Sequence, residues 1–314
     1  MDFILLILGL AVLIIGGEFL VKGAVGIARN LEISPLVIGM TVVSFGTSAP
    51  ELLVSLQAAA EGSPEIAVGN VIGSNIANLA LVLGLTVLIF PIIVERQTKV
   101  IDWPMMMLST ILFYIFLLDG VIELWEGLVL FSFLVTFVIW LIRRSRKESK
   151  LKVEEHLAKE STLLTVGYLM LGLIGLYFGS EWFVEGAVQI AINLGMSKSV
   201  IGVTIVAFGT SAPELVASCV AAYRRQSDIS IGTLIGSNIF NIMAVIGLTS
   251  IVRPIDLNGV DASQFLNFDM YWVAGIALAL LPMLYFGAKF GRLKGVALLT
   301  SYIVYISIIV STNI

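Results

Sequence analysis

Apolar residues in this chain run in blocks rather than in alternation with polar ones. The blocks predict ten helical spans at 2–28, 34–60, 65–90, 101–119, 122–142, 163–192, 197–223, 229–252, 270–288 and 295–312. Each block is about the 20 residues that a helix needs to cross a bilayer. Only a helix satisfies its backbone within one segment when lipid surrounds it, so a barrel is not expected. The longest polar stretch is 143–161, RRSRKESKLKVEEHLAKES, a charged, partly helical connector too short to be a domain. It separates a first five-helix repeat, 1–142, from a second, 162–314.

Composition agrees with that pattern. Of 314 residues 58% are hydrophobic and 13% charged, with mean hydropathy +1.03, about half the charge of an ordinary soluble domain. The chain is therefore an all-α integral membrane protein with no sizeable soluble domain. Cys219 is the single cysteine, so no intrachain disulfide forms. The N-terminal segment lacks the basic start of a cleaved signal peptide and is taken as the first span.

The halves repeat each other. Shifted by 163, residues 16–60 lie on 179–223 without a gap, with 27 identities in 45 positions. Residues 69–86 lie on 232–249 in the same register, while the last two spans of each half match poorly, as expected of scaffold. An odd number of spans per repeat makes the second copy enter the membrane from the opposite face. The expected fold is an inverted repeat about an axis in the membrane plane, with matched segments meeting near the midplane.

Lysine and arginine set the orientation. With both termini outside, 16 basic residues fall on cytoplasmic ends and loops, and only Lys198 and Arg253 fall outside. The connector is then cytoplasmic in a multi-pass cell-membrane protein, and its basic run reads as a topology determinant. Outer loops carry Glu61, Glu65, Asp119, Glu123, Asp256, Asp261 and Asp269. These read as ordinary solvated loops or as acidic mouths that concentrate cations.

Both halves contain the octapeptide FGTSAPEL, at 45–52 and 208–215. Its glutamates, Glu51 and Glu214, lie deep in membrane spans, where a carboxylate costs roughly 2.5–3.5 kcal/mol. Pro50 and Pro213 lack an N–H, so each motif predicts a broken helix with freed carbonyls. Such groups are tolerated only where they face protein, water or an ion. Thr47, Ser48, Thr210 and Ser211 add oxygens beside the break. The second motif, GSNIxN, puts Ser74 and Asn78, and again Ser237 and Asn241, four residues apart on a shared helix face. Gly73 and Gly236 allow close approach of another helix. This inventory of hard oxygen ligands suits Ca²⁺ or Na⁺ rather than zinc, copper or iron. Sharing both carboxylates makes calcium and sodium occupancy mutually exclusive. Two unpaired buried carboxylates are costly, so switching between faces is expected only with cations bound.

At these residues the chain resembles the sodium/calcium exchanger family of the cation/calcium antiporter superfamily, over essentially its whole length. The resemblance implies alternating access, with calcium exported against sodium entry. It implies that Glu51 and Glu214 bind both ions, with carbonyls of Thr47 and Thr210 completing the calcium site. It also implies sodium sites at Ser48, Ser74, Ser211 and Ser237, helped by carbonyls of Ser44 and Ala207, with Asn78 and Asn241 lining the centre. Close relatives often carry aspartate at the position of Asn241; asparagine keeps the oxygen and removes a potential charge. A calcium/proton or potassium-dependent exchanger is the alternative in the same class.

Calcium, sodium and the lipid bilayer are the partners expected, with no cofactor, nucleic acid or obligate protein partner. An enzyme is not expected: the lone His156 lies in the connector, and no pair of buried aspartates is found. A channel is disfavoured by the inverted repeat. Glu18 and Glu181 match across the repeat and read first as structural, with a place on the ion path as the alternative. The five tryptophans read as interfacial or packing residues.

Overall fold

The computed structural model describes residues 2–151, 161–195, 207–258, 262–286 and 289–312. Among the described residues the regular structure is helical apart from one two-stranded ribbon and one isolated bridge. In order the helices are α1 (Asp2–Leu31), α2 (Pro35–Thr47), α3 (Ala49–Glu61), α4 (Pro64–Ile89), α5 (Thr98–Leu117), α6 (Leu124–Leu151), α7 (Thr162–Asn193), α8 (Ala207–Thr210), α9 (Ala212–Tyr223), α10 (Ser227–Val252), α11 (Phe265–Tyr285) and α12 (Arg292–Thr312). Among the described residues eight helices are long and apolar enough to cross a membrane, or nine with α2 and α3 taken as one bent span. Of the predicted span 197–223, α8 and α9 are seen; residues 197–206 lie outside the described residues, as do His156 and Lys198. The helix α6 carries the first part of the connector in unbroken helical form.

Glycine spacing explains the longest interface. α1 carries Gly9, Gly16 and Gly23, and α7 carries their matches Gly172, Gly179 and Gly186, seven residues apart in each helix. A Cβ on Gly16 would lie 2.8 Å from the Leu176 nitrogen, and one on Gly179 would lie 2.7 Å from that of Leu13. Gly23 meets Leu169 while Gly186 meets Leu6, so the two helices run antiparallel. Lipid offers no hydrophobic drive for helix pairing, so close backbone packing over small residues supplies the attraction.

The halves interlock through their other helices. α4 packs on α12 at Gly84 and Gly295, and α10 packs on α6 at Gly247 and Gly127. Gly84 and Gly247 are matched positions, so each half lends its third helix to the fifth helix of the other. α10 is the centre of the bundle, buried throughout its apolar core. The strands β1 (Val121–Ile122) and β2 (Ile255–Asp256) pair antiparallel, and Ile92 bridges Phe290. Ile92 and Ile255 are again matched positions, so similar short ribbons join the halves at two places.

The poor match of the last two spans proves to be a shift of register. α5 opens on a π-helical turn, Thr98–Asp102, and α11 on another, Phe265–Asp269. Gln97 donates to Asp102 at 3.4 Å and Gln264 to Asp269 at 3.3 Å, the same pair 167 residues apart. Four extra residues had moved the match from 163. This also corrects two expectations. Asp269 is not a loop residue, and two aspartates are buried: Asp102 is 0% and Asp269 2% exposed. Asp269 additionally accepts a hydrogen bond from the Tyr305 hydroxyl at 3.1 Å. Both helices start a few residues before the predicted spans, at 98 and 265.

Candidate cation site

The two octapeptides break their helices in the same way. Pro50 sits in the first turn of α3, Pro213 in the first turn of α9, and neither supplies a helical N–H. Ser48 takes φ −88°, ψ 5° and Ser211 φ −92°, ψ 4°, and the first pair of helices bends by 43°. Pro213 leaves the Gly209 carbonyl without its helical donor, and the Ser180 hydroxyl donates to it at 2.7 Å. The Ser44 carbonyl accepts from the Ser48 N–H at 2.9 Å.

The breaks face the third helix of the opposite half. Ser44 Oγ donates to the Thr233 carbonyl at 2.9 Å, and Thr47 Oγ1 lies 3.4 Å from Ser237 Oγ. A Cβ on Gly236 would meet the Met40 backbone at 2.7 Å, so that glycine is what lets α2 and α10 touch. No described residue comes within 4 Å of a Cβ at Gly73. At the centre Asn75 Nδ2 donates to the Asn238 carbonyl at 3.3 Å, and these two residues match across the repeat.

Glu51 is 2% and Glu214 0% exposed. Each feels a hydroxyl of the other half or of its own third helix: Thr47 acts on Glu214, Ser74 acts on Glu51, and Glu214 feels the charge of Glu51. Among the described residues Oε1 and Oε2 of both, Ser48 Oγ, Ser211 Oγ, and both side-chain polar atoms of Asn78 and Asn241 are buried without a protein partner. One such group costs about 1–3 kcal/mol and a charged one more. These six side chains are half of the twelve predicted site residues. Of the others, Ser74 and Ser237 are buried beside them, and Thr47 and Ser44 tie the halves together. Thr210 is half-buried next to the second break, and Ala207 opens α8.

No three His, Cys, Asp or Glu side chains gather among the described residues. The donor set is two carboxylates with amide, hydroxyl and carbonyl oxygens, which fits a hard cation. π-helical turns run Ala77–Val82 in α4 and Asn241–Ile246 in α10, each beginning within the end of a GSNIxN motif and including its last asparagine. Such turns are frequent at functional sites.

Sequence reasoning overlooked Asn75, Asn238, Asn70 and Ser55. Asn70 Nδ2 donates to the Glu51 carbonyl at 3.1 Å and to Ser55 Oγ at 3.0 Å, anchoring the turn that carries the carboxylate. Asn75 and Ser55 are identical to their matches in the second half, which is a signal that could have found them. Glu18 and Glu181 part company: Glu18 pairs with Arg224, whereas Glu181 lines a cavity of about 490 Å³ with Ser180, Glu185, Gln189, Thr210 and Pro50 among others.

The class defined by these observations is a helical membrane bundle with paired helix breaks around buried oxygens that lack a partner among the described residues. The family model described as sodium/calcium exchanger protein matches residues 1–143 and 164–311, and the chain belongs to that family. It is 40% identical, over 96% of both chains, to a candidate antiporter, CaxA, of Alkalimonas amylolytica. It is 31% identical, over 98% of both, to the sodium/calcium exchanger MaX1 of Methanosarcina acetivorans. The fold is similar to that of the sodium-calcium exchanger NCX_Mj soaked with zero Na⁺ and Ca²⁺, with a TM-score of 0.84, 34% identity and 98% of both chains covered.

Proposed function

We propose that the chain exchanges sodium for calcium across the cell membrane by alternating access, exporting calcium as sodium enters. The observation that carries this reading is the pair of buried, unpartnered carboxylates on matched helix breaks. Glu51 and Glu214 bind either cation, with the carbonyls of Thr47 and Thr210 completing a calcium site. Ser48, Ser74, Ser211 and Ser237, with the carbonyls of Ser44 and Ala207, hold sodium around it, and Asn78 and Asn241 line the centre. Calcium and sodium are cargo, and no resident cofactor enters the scheme.

The architecture we infer is ten helices in two inverted repeats, 1–142 and 162–314, joined by a cytoplasmic connector at 143–161, with both termini outside. Antiparallel packing of matched α1 and α7, and reciprocal contacts of matched glycines, support it. Inverted repeats with broken helices at the midplane are a recurrent transporter design.

The test is calcium uptake by sodium-loaded vesicles. Glu51→Gln and Glu214→Gln, made separately, should each lower the initial rate by about tenfold or more, a factor equivalent to about 1.4 kcal/mol. Near-normal rates in either variant, with the protein folded, remove that carboxylate from the site. Replacing the sodium gradient by a potassium or pH gradient in the same assay identifies the counter-ion.

A further inference from the structure

The repeat makes the two faces of the molecule comparable position by position, and they differ. On one side α1 lies against α9, with Val216 and Val220 filling the space at Gly17. The matched helices, α7 and α3, share no contact of that extent. There Ser180, the match of Gly17, faces the 490 Å³ cavity instead, beside the exposed Glu181, Glu185 and Gln189. Among the described residues, therefore, a cavity lies along α7 at the end bearing the start of α1, and the matched space at the other end is filled.

A charge difference coincides with this. At the closed side Arg224, just past α9, grips Glu18 of α1. Its Nε donates to Oε1 at 3.2 Å and to Oε2 at 2.9 Å, and a terminal nitrogen lies 2.7 Å from Oε2. Under the 163-residue shift the partners of Glu18 and Arg224 are Glu181 and Glu61. Those are two acids, which cannot pair. Lys22 on the closed side likewise corresponds to Glu185 on the open one. Symmetry thus allows a latch on one face only.

We propose that Glu18 and Arg224 form a one-sided latch that holds the cytoplasmic side shut and biases the protein toward its outward-open state. This rests on the alternating-access reading above. The ion pair must break when α1 swings away from α9, and closing the outer side brings Glu181 toward Glu61 with no compensating attraction. The pair touches no transported ion; it is a positioning pair that acts on the access equilibrium. A two-point Arg–carboxylate contact at a partly exposed site is worth a small population factor, about two- to fivefold.

The reporter is a cysteine in place of Val25, the match of the cavity residue Val188, in full-length Cys219→Ala protein. An impermeant thiol reagent is applied to the cytoplasmic side of vesicles. Reactivity there reads the inward-open population directly, so it should rise about two- to fivefold in Glu18→Gln and in Arg224→Gln. The exchanged pair Glu18→Arg with Arg224→Glu should return it toward the parent, which mere loss of packing would not do. Glu61→Arg, which gives Glu181 a partner on the outer face, should raise it as well, and it decides the matter if the single variants do not fold. An unmoved reporter in the single variants, an exchanged pair that stays high, or an unmoved Glu61→Arg where it alone is testable overturns the latch. If parent reactivity fails to respond to saturating sodium or calcium, alternating access itself falls. If it responds but the variants do not shift it, only the latch falls.

Discussion

Ser180 shows how one side chain repairs what the motif breaks. Proline at 213 removes the donor that the Gly209 carbonyl would have had in an unbroken helix, and the Ser180 hydroxyl replaces it at 2.7 Å. Ser180→Ala should therefore destabilise the protein by about 0.5–1.5 kcal/mol. In a Pro213→Ala background, where residue 213 regains an N–H, the same change should cost measurably less. Thermal unfolding of the two single variants and the double variant gives that coupling energy, and additive losses would contradict the assignment. In the first half Gly17 stands where Ser180 stands in the second, so this repair belongs to one half alone. The six unpartnered side chains of the site are the opposite case: among the described residues no hydrogen-bond partner meets them.

At the level of elements, the antiparallel seam of α1 and α7 is the most sensitive to volume. A side chain at Gly16 must displace the backbone of α7, because the nearest atoms belong to Leu176 and Gly175 main chain. Gly16→Leu should cost about 1–3 kcal/mol through overpacking and lower transport with it. Gly167→Leu on α7, with nothing within 4 Å of its Cβ, should be tolerated. Thermal stability of the two variants in detergent makes the comparison; equal losses would mean that the seam is not held by close packing. The π-helical turns belong to this scale too. Their Gln–Asp pairs at 97 and 102, and at 264 and 269, join side chains across the first turn of α5 and of α11. A fixed shift of 163 hides that relationship.

For the whole molecule the inverted arrangement proposed above makes a prediction about sidedness. Ser63 and Gln226 are matched positions that follow α3 and α9. Single cysteines there, in Cys219→Ala protein, should be labelled by an impermeant thiol reagent from opposite faces, Ser63 from outside and Gln226 from inside. Labelling from the same face would refute the inversion. The chain ends of those two helices also agree in backbone: Gly62 and Arg225, again matched, take positive φ of 82° and 60°.

The sequence by itself determined the membrane-helical class, the repeat and the chemistry of the donors. Those follow from block hydrophobicity, from identity at a fixed shift and from residue type, all of which are local or one-dimensional. It also located both helix breaks, since a proline removes its own N–H wherever the chain goes. The tertiary structure decided which donors remain unpartnered, which glycines touch which backbone, and that Asp102 and Asp269 are interior rather than exposed. It also decided that Glu18 is gripped while its match Glu181 lines a cavity. Burial and partnership depend on what the rest of the chain brings to a position, and two residues with identical neighbours in sequence can meet different surroundings in space.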